Sequence, residues 1–240
     1  MKTNIDLNCD LGEGLNNEHL IMPLISSCNI SCGAHAGSVE TIDKVLALAL
    51  KHDVKIGAHP SFPDRENFGR VVLKMSDTEL LQSLVEQLRL FKQRVALQNG
   101  KVHHVKPHGA LYNIIAVSSS KALVVVRAIQ EVFDDVKLYL PFNSRIESVA
   151  LANGLDIVYE AFADRNYTDD LKLVSRGLPY AIIEEPEEIV HRVRRMAEAE
   201  QVHTVKDTIR DIKAETFCVH GDHPKVVEIL EVLNGEFEVR

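Results

Sequence analysis

The sequence predicts an α/β fold in which one domain, spanning residues 1–240, forms a barrel of seven or eight parallel strands. Short apolar runs typical of strands alternate with helical runs along the whole chain, without a linker or an internal repeat. Nearly every strand-like run ends in a tail rich in His, Asp, Glu, Lys or Arg. In an open doubly wound sheet such tails gather at one switch point, so their even spread favours a barrel.

The sequence predicts seven strands and one weaker strand candidate. They centre on residues 5, 30, 56, 104, 138, 158 and 217, and a weaker candidate covers Tyr180 to Ile183. In a parallel barrel the carboxyl ends of such strands meet at one mouth, which is where active sites lie. The polar tails are therefore expected to form one site.

The predicted helices begin at recognisable caps. Ser38 precedes an apolar stripe that reaches Lys51, and Ser76 with Glu79 forms a capping-box pattern ahead of a long helix that Gly100 ends. Proline suits the first position of a helix, so Pro186 and Pro224 mark the starts of the last two predicted helices. The remaining predicted helices run from Ser119 to Phe133, Ser144 to Asn153, Pro186 to about Glu200, and Pro224 to Gly235.

Composition and charge exclude several classes of protein. The chain is 45% hydrophobic with a net charge of -8, and no stripe of Lys and Arg could neutralise phosphates, so no nucleic-acid partner is expected. No apolar stretch approaches the ~20 residues that span a bilayer. The first strand begins by about Asn4, which leaves no room for a signal peptide. We therefore expect no membrane partner, a cytoplasmic location and reduced cysteines.

The first tail, residues 8–14, places acidic groups at the mouth of the barrel. Alternation along the strand puts Asn8 and Asp10 on one face, and the Gly-Glu-Gly turn lets Glu13 fold back beside them. Paired acids of this kind suit either metal coordination or a divided general acid and general base. The alternative without a function is an acidic, solvated turn.

The second and third tails add an amide, two histidines and an arginine. Asn29 points inward among apolar residues, so it belongs either to a core hydrogen-bond network or to a ligand site. His35 and His59 follow strand ends, where they can take part in chemistry. Arg70 lies in a loop ordered by Pro, Gly and Phe residues, and it could reach a phosphate or a carboxylate.

The fourth tail is the strongest single signal. On an extended chain His104, Lys106 and His108 point the same way, and Pro107 argues against a helical pair of zinc ligands. An inward lysine between two histidines is costly unless it serves an anion or a carboxylate. The same tail continues to Asn113.

Polar and charged residues also close the sixth strand and the last strand. Those of the sixth strand are Asp164, Arg165 and Tyr167, with Arg176 in the following loop, and those of the last strand are His220 and Asp222. Asp222 is alternatively the N-cap of the following helix. Carboxylates imply a cation or proton transfer, the arginines imply anionic groups, and the histidines imply acid–base chemistry near neutral pH. The chain is therefore expected to be an enzyme.

These tails, in this order, closely resemble the LamB/YcsF family, the A subunits of prokaryotic 5-oxoprolinase. The matching segments are DLNCDLGE, ISSCNISCGAHAG, GAHPSFPD with FGR, HVKPHGALYN, ADRNY followed by LVSR, and CVHGD, and they extend from residue 6 to 222. The resemblance implies a (β/α)₇ distorted TIM-like barrel of the glycoside hydrolase/deacetylase type. It also implies ATP-dependent opening of 5-oxo-L-proline (pyroglutamate) to L-glutamate, together with separate subunits B and C.

The implied reaction assigns roles to the tails. A lactam is a stabilised amide, so ATP would phosphorylate the amide oxygen before water attacks, with Mg²⁺ bridging the phosphates. No GxGxxG or GxxxxGK[ST] motif is present, so ATP would bind in another way. The expected Mg²⁺ ligands are Asp10, Glu13 or Asp222. The catalytic candidates are Asp10, His35, His59, Lys106, His108 and His220. The candidates for binding substrate or ATP are Asn29, Arg70, Asn113, Asp164, Arg165, Tyr167 and Arg176.

Two other functions stay open at this point. A stand-alone metal-dependent deacetylase or amidohydrolase would hold Zn²⁺ with Asp10 and two histidines and would work without ATP. A non-catalytic subunit would bind a lactam or a sugar and deliver it to partner subunits. Pure binding sites use few titratable groups, which argues against the second alternative.

Overall fold

The structure is a computed structural model that describes residues 2–240. Its strands are β1 (Asn4–Leu11), β2 (Ser27–Ser31), β3 (Lys55–His59), β4 (Val102–Val105), β5 (Lys137–Pro141), β6 (Ile157–Phe162), β7 (Gln201–His203), β8 (Ile209–Asp211), β9 (Thr216–Cys218) and β10 (Glu238–Val239). Parallel pairing runs in the order β1-β2-β3-β4-β5-β6-β9, and β9 also pairs with β1, which closes the sheet. The predicted barrel is confirmed, with seven strands.

Helices cover the outside of this barrel. They are α1 (Glu18–Ile21), α2 (Val39–Lys51), α3 (Asp77–Leu97), α4 (Gly109–Ile115), α5 (Ser119–Val132), α6 (Arg145–Ala152), α7 (Pro186–Ala199) and α8 (Val226–Glu236). Within residues 2–240, no single helix is long and apolar enough to cross a membrane. Only α4 and α5 taken together meet that requirement, and they are bent by 117° relative to each other.

The predicted helix caps are largely confirmed. The side chain of Ser38 accepts a hydrogen bond from the backbone of Thr41, and the capping box of Ser76 and Glu79 is present. The end of α3 was predicted wrongly, because Asn99, with φ of 57°, takes the left-handed position before Gly100. Asparagine adopts that conformation more readily than most residues other than glycine.

The start of α8 and several short elements differ from the sequence prediction. Pro224 lies in a turn in which Val226 N–H donates to His223 O, so the helix begins after it. The weak strand candidate at 180–183 contributes one bridge, between Ile182 and Arg165. The antiparallel pair β7–β8, the strand β10 and the helices α1 and α4 were not predicted, since each is too short to show a period.

The inside of the barrel is polar rather than aliphatic. Alternation in β1 sends Leu7 and Cys9 into the outer apolar core and Asn8 into the barrel. The strand register then pairs Asp10 with Asn29, Asn29 with Gly57, and Gly57 with His104, so these positions form one layer. This layer lies beneath the mouth and supports the residues there.

Gly57 is a position in this layer that cannot accept a side chain. A Cβ added there would lie 2.0 Å from Nε2 of His104, whose ring stacks on Tyr139 at 3.8 Å. We predict that Gly57→Ala lowers the free energy of unfolding by about 1–3 kcal/mol, measured by chemical denaturation. Gly235→Ala is the control, because nothing lies within 4 Å of its added Cβ and alanine favours a helix. A Gly57→Ala chain as stable as the parent would contradict this packing.

Candidate active site

The carboxyl ends of the strands open into a cavity of about 450 Å³. Most of the predicted site residues line it, namely Asp10, Glu13, His59, Arg70, Lys106, His108, Asn113, Arg165, Arg176, His220 and Asp222. The other predicted residues, Asn29, His35, Asp164 and Tyr167, are not part of this lining. The sequence prediction that the tails gather in one site thus agrees with the geometry, and the individual roles stay predictions.

Lys106 forms the floor of the cavity. Its buried ammonium lies 2.9 Å from Oδ1 of Asp10 and 2.7 Å from Oε1 of Glu160. Burial lowers the pKa of Lys106, but the neighbouring Asp10 carboxylate and the other acidic groups outweigh burial and hold this pKa well above its usual value. Burial raises the pKa of Asp10, but His59 and Lys106 outweigh burial and hold this pKa well below its usual value. The floor is therefore a charged pair at neutral pH.

An amide network beneath the floor orients Asp10. Nδ2 of Asn29 donates to Oδ1 of Asn8 at 2.8 Å and to Oδ1 of Asp10 at 2.9 Å. Oδ1 of Asn29 lies 2.7 Å from Nε2 of His104. Because both ends of its amide are bonded inside the barrel, Asn29 belongs to the core network. This corrects the prediction that Asn29 binds substrate or ATP.

Glu13 and three histidines meet in the cavity wall, and we call them the histidine cluster. Nε2 of His35 lies 3.0 Å from Oε1 of Glu13. Nδ1 of His108 lies 2.9 Å from Nε2 of His59 and 3.3 Å from Oε1 of Glu13. The rings of His35 and His108 stack with centroids 3.8 Å apart. These four inner ligand atoms all lie within 4.8 Å of one another.

The outer nitrogen of each ring in the histidine cluster is anchored by an oxygen atom. The three anchors are Ser61 Oγ for His35 at 2.9 Å, Lys106 O for His59 at 2.6 Å, and Phe68 O for His108 at 2.9 Å. The loop after β3 supplies two of them, and it approaches the rings closely at Gly69. A Cβ at Gly69 would lie 3.0 Å from both His35 and His108.

Burial dominates the protonation of the histidine cluster. Burial and the neighbouring His59 lower the pKa of His35 and the pKa of His108 to about 3. Burial also lowers the pKa of His59, but Asp10 outweighs burial and raises it above its usual value. The pKa of Glu13 is raised, mainly by burial. His35 and His108 are therefore neutral imidazoles, the form that binds metal ions.

His220 forms a second candidate centre in the cavity. Its Nδ1 lies 2.8 Å from Oδ1 of Asp164, and its backbone N–H donates to Oδ2 of the same carboxylate at 3.0 Å. Burial raises the pKa of Asp164, but His220 outweighs burial and lowers it. The ring of His220 stacks on Phe162 at 5.2 Å. Asp164 therefore fixes the orientation of His220 rather than facing the cavity itself.

Asp222 is held between two arginines. Its Oδ2 lies 3.0 Å from Arg70 and 2.7 Å from Arg176. Burial raises the pKa of Asp222, but the hydrogen bond from Arg176 outweighs burial and lowers it. With two guanidinium groups on this carboxylate and Lys106 on Asp10, the predicted carboxylates do not gather into an oxygen cage. Mg²⁺ prefers an octahedron of oxygen ligands, so the set Asp10, Glu13 and Asp222 does not fit it.

Arg165 and Tyr167 hold the loop over the cavity. Arg165 donates to the backbone oxygens of Ala181 at 3.2 Å and Val174 at 2.5 Å. The hydroxyl of Tyr167 accepts a hydrogen bond from the backbone of Phe162 at 2.8 Å. Both side chains are bonded to backbone and Arg165 also lines the cavity, and their assignment to substrate or ATP binding stays a prediction. Burial raises the pKa of Tyr167, which stays a phenol.

Sequence reasoning missed two residues of this site. Glu160 is buried in β6 beneath Lys106, and Tyr112 of α4 lines the cavity beside it. Burial and Glu160 raise the pKa of Tyr112 well above its usual value. A glutamate two positions before Phe162 in an otherwise apolar strand shares the inward face, and this alternation could have revealed it.

Comparison with known proteins agrees with this architecture. A curated relative from Bacillus cytotoxicus, named as the A subunit of 5-oxoprolinase, is 40% identical over 98% of this chain and 95% of its own length. The crystal structure of a lactam utilization protein from Thermus thermophilus covers 99% of both chains, with a TM-score of 0.91 and 33% identity. A GH113 β-1,4-mannanase shares the fold alone, with a TM-score of 0.55 and 10% identity over both full chains.

The fold and site together define a closed parallel α/β barrel with carboxylates, histidines and arginines at the carboxyl mouth. The LamB/YcsF family model matches residues 5–239, and the chain belongs to this family. The family predicted from the strand tails is confirmed, as is the seven-stranded α/β barrel. The chain covers nearly the full length of its curated relatives.

Proposed function

We propose that this chain is the A subunit of a 5-oxoprolinase, which opens 5-oxo-L-proline to L-glutamate with ATP hydrolysis, together with subunits B and C. The observation that carries the proposal is the cavity. It combines an oriented histidine with two arginines, in a chain whose relatives are named for this activity. The substrate has a carboxylate and a ring amide, and the cavity offers groups suited to each.

The carboxylate of the substrate is assigned to the arginine side of the cavity. Arg70 and Arg176 both reach into it, and Asp222 holds their guanidinium groups near each other. Arginine binds carboxylates through parallel N–H groups, so the pair also suits a phosphate. Asn113 lines the same cavity and can donate to the lactam carbonyl oxygen.

The acid–base role is assigned to His220. Asp164 accepts the Nδ1 hydrogen, which leaves Nε2 as the acceptor in the neutral ring, and His220 lines the cavity. This arrangement lets Nε2 take a proton from the attacking water and return it to the ring nitrogen of the substrate. The proposal thus separates His220 from the three histidines of the cluster.

ATP enters the proposal as a cosubstrate, because opening a five-membered lactam is poorly driven. Transfer of the γ-phosphoryl group of ATP to the amide oxygen, with ADP as the leaving group, would give water a better target and place negative charge near Arg70 and Arg176. Breaking of the ring C–N bond would then leave an acyl phosphate, which a second water would hydrolyse to L-glutamate and phosphate. Mg²⁺ belongs here to the nucleotide phosphates, since the carboxylates of Asp10 and Asp222 are paired with basic groups.

The proposal is tested by glutamate release from 5-oxo-L-proline. We expect release only when ATP and the candidate B and C subunits are all present. The chain would be assayed alone and with its partners, each with and without ATP. No release from the complete mixture would reject the proposal.

The histidine cluster favours one second candidate, a metal-dependent amidohydrolase that acts alone. Three imidazoles and a carboxylate are ligands that such enzymes use. This candidate predicts lactam or amide hydrolysis without ATP and without partner subunits. The same assay separates the two, because release that is unchanged when ATP is omitted supports the second candidate.

A further inference from the structure

We infer that Glu13, His35, His59 and His108 bind one divalent transition-metal ion in the wall of the cavity. The inference stands on hydrogen-bond geometry and does not depend on the proposed reaction. It differs from the carboxylate set considered above, because Asp10 and Asp222 are paired with basic groups. Of the four residues, Glu13, His59 and His108 line the cavity, so the ion would face substrate.

The first argument concerns the hydrogens on His59 and His108. Nδ1 of His59 faces the carbonyl oxygen of Lys106, and Nε2 of His108 faces the carbonyl oxygen of Phe68. A carbonyl only accepts, so each of these nitrogens carries the ring hydrogen. In the neutral rings the two inner nitrogens are then lone pairs, yet they lie 2.9 Å apart. Two lone pairs at this distance need a cation between them, which is either a proton on His59, favoured by Asp10, or a metal ion.

The same reasoning applies to His35 and Glu13. The hydroxyl of Ser61 donates to the carbonyl of Phe62 at 2.8 Å, so Ser61 Oγ accepts from Nδ1 of His35. Nε2 of His35 is then a lone pair, and it lies 3.0 Å from a carboxylate oxygen of Glu13. With all three rings neutral and Glu13 ionised, four electron-pair donors therefore converge without a hydrogen to share. Two added protons would be needed to remove the repulsion between these lone pairs, whereas one divalent ion would remove it alone.

The distances fit a metal site. A tetrahedral ion with ligands at ~2.0–2.1 Å has ligand atoms about 3.3 Å apart. Four of the six separations between the inner atoms of the histidine cluster are 2.9 Å, 3.0 Å, 3.3 Å and 3.8 Å, and the other two are within 4.8 Å. Each imidazole is also fixed by an oxygen acceptor on its outer nitrogen, which is the second-shell pattern of metal-bound histidines.

The donor set indicates which ions fit. Three imidazole nitrogens and one carboxylate oxygen suit Zn²⁺ or a similar transition metal, whereas Mg²⁺ and Ca²⁺ require mainly oxygen ligands. Such an ion supplies Lewis acidity toward a carbonyl oxygen when it is bound. The carboxylate of Asp10 lies near, with Oδ2 at 3.4 Å from Nε2 of His59.

A second group of close ligand atoms, Asp10, Cys218 and His220, does not carry the same argument. The ammonium of Lys106 lies 2.9 Å from Asp10 and 3.1 Å from Sγ of Cys218, so a cation already occupies that point. Burial raises the pKa of Cys218, so it stays a thiol rather than the thiolate that binds metals. This group supplies a control for the test.

The test measures metal binding by the full-length chain without an affinity tag. Elemental analysis after purification without chelators is expected to find about one transition-metal ion per chain. After stripping, Zn²⁺ titration should restore one site, and Co²⁺ should give the visible absorption of a four- or five-coordinate ion. Mg²⁺ in excess should not displace either ion.

Variants locate the ion. Glu13→Gln and His59→Gln should abolish stoichiometric binding, and Ser61→Ala should weaken it about 10–100-fold by freeing His35. Ser61→Ala removes only one oxygen atom, so the chain should still fold. This variant therefore measures the effect on metal binding even where a ligand variant does not fold. Cys218→Ser and His191→Gln, the latter exposed on α7, should bind as the parent does.

Three outcomes would overturn the inference. They are a chain that binds no transition metal near neutral pH, binding that survives Glu13→Gln and His59→Gln, and binding that is lost in Cys218→Ser. In the first case a downfield imidazole N–H resonance would identify shared protons instead of a metal. None of these outcomes bears on glutamate release, so the two proposals can fail separately.

Discussion

Replacement of His220 by glutamine is expected to lower glutamate formation by the assembled subunits about 10²–10⁴-fold. Glutamine retains polarity and approximate size but cannot carry a proton to and from the substrate. The side chain is only 13% exposed and lies against Phe162, so the substitution changes the cavity shape little. The measurement is the rate of glutamate release with ATP and all subunits present.

Asp164→Asn probes the orientation of the same histidine. Asp164 accepts hydrogen bonds from both the ring and the backbone of His220, and an amide has only one oxygen to accept them. We expect the maximal rate to fall while KM for 5-oxo-L-proline changes little, because Asp164 does not line the cavity. His191→Gln on the exposed face of α7 is the matched control and should leave the rate unchanged. A fully active His220→Gln complex would show that another group moves the proton.

Much of the barrel could be predicted because its strands are apolar runs with polar ends. Such a run can be recognised from the local sequence alone, which is why all seven barrel strands were predicted. The hairpin β7–β8 offers three residues on each side and no apolar alternation, so nothing in the sequence marks it. The Pro224 prediction failed because proline suits a turn as well as a first helical turn.

The sequence could predict which residues belong to the site, but not which of their side chains contact one another. Asp164 and His220 are 56 residues apart, and Arg70 and Asp222 are 152 apart, so only the closed barrel brings them together. Residue type also fails to separate roles. Tyr167 follows the same kind of strand end as His220, but its hydroxyl accepts from the backbone of Phe162.

Lys106→Met is expected to lower the free energy of unfolding by about 3–5 kcal/mol, because it removes the ammonium shared by two buried carboxylates. Lys106 is 1% exposed, and its ammonium lies within 2.9 Å of Asp10 and 2.7 Å of Glu160. Methionine fills a similar volume, so the loss of stability would come from the missing charge rather than from altered packing. Chemical denaturation of the full chain measures it.

The chain contains a matched control for this prediction. Lys101 also lies 2.9 Å from a carboxylate, that of Asp135, but both side chains are about four-fifths exposed. Lys101→Met should therefore have little measurable effect, since water screens the pair. Adding Glu160→Gln to Lys106→Met removes one of the two unpaired charges and should recover part of the lost stability. Equal effects of the two lysine variants would contradict a charged floor, because only a desolvated carboxylate makes the loss of its ammonium costly.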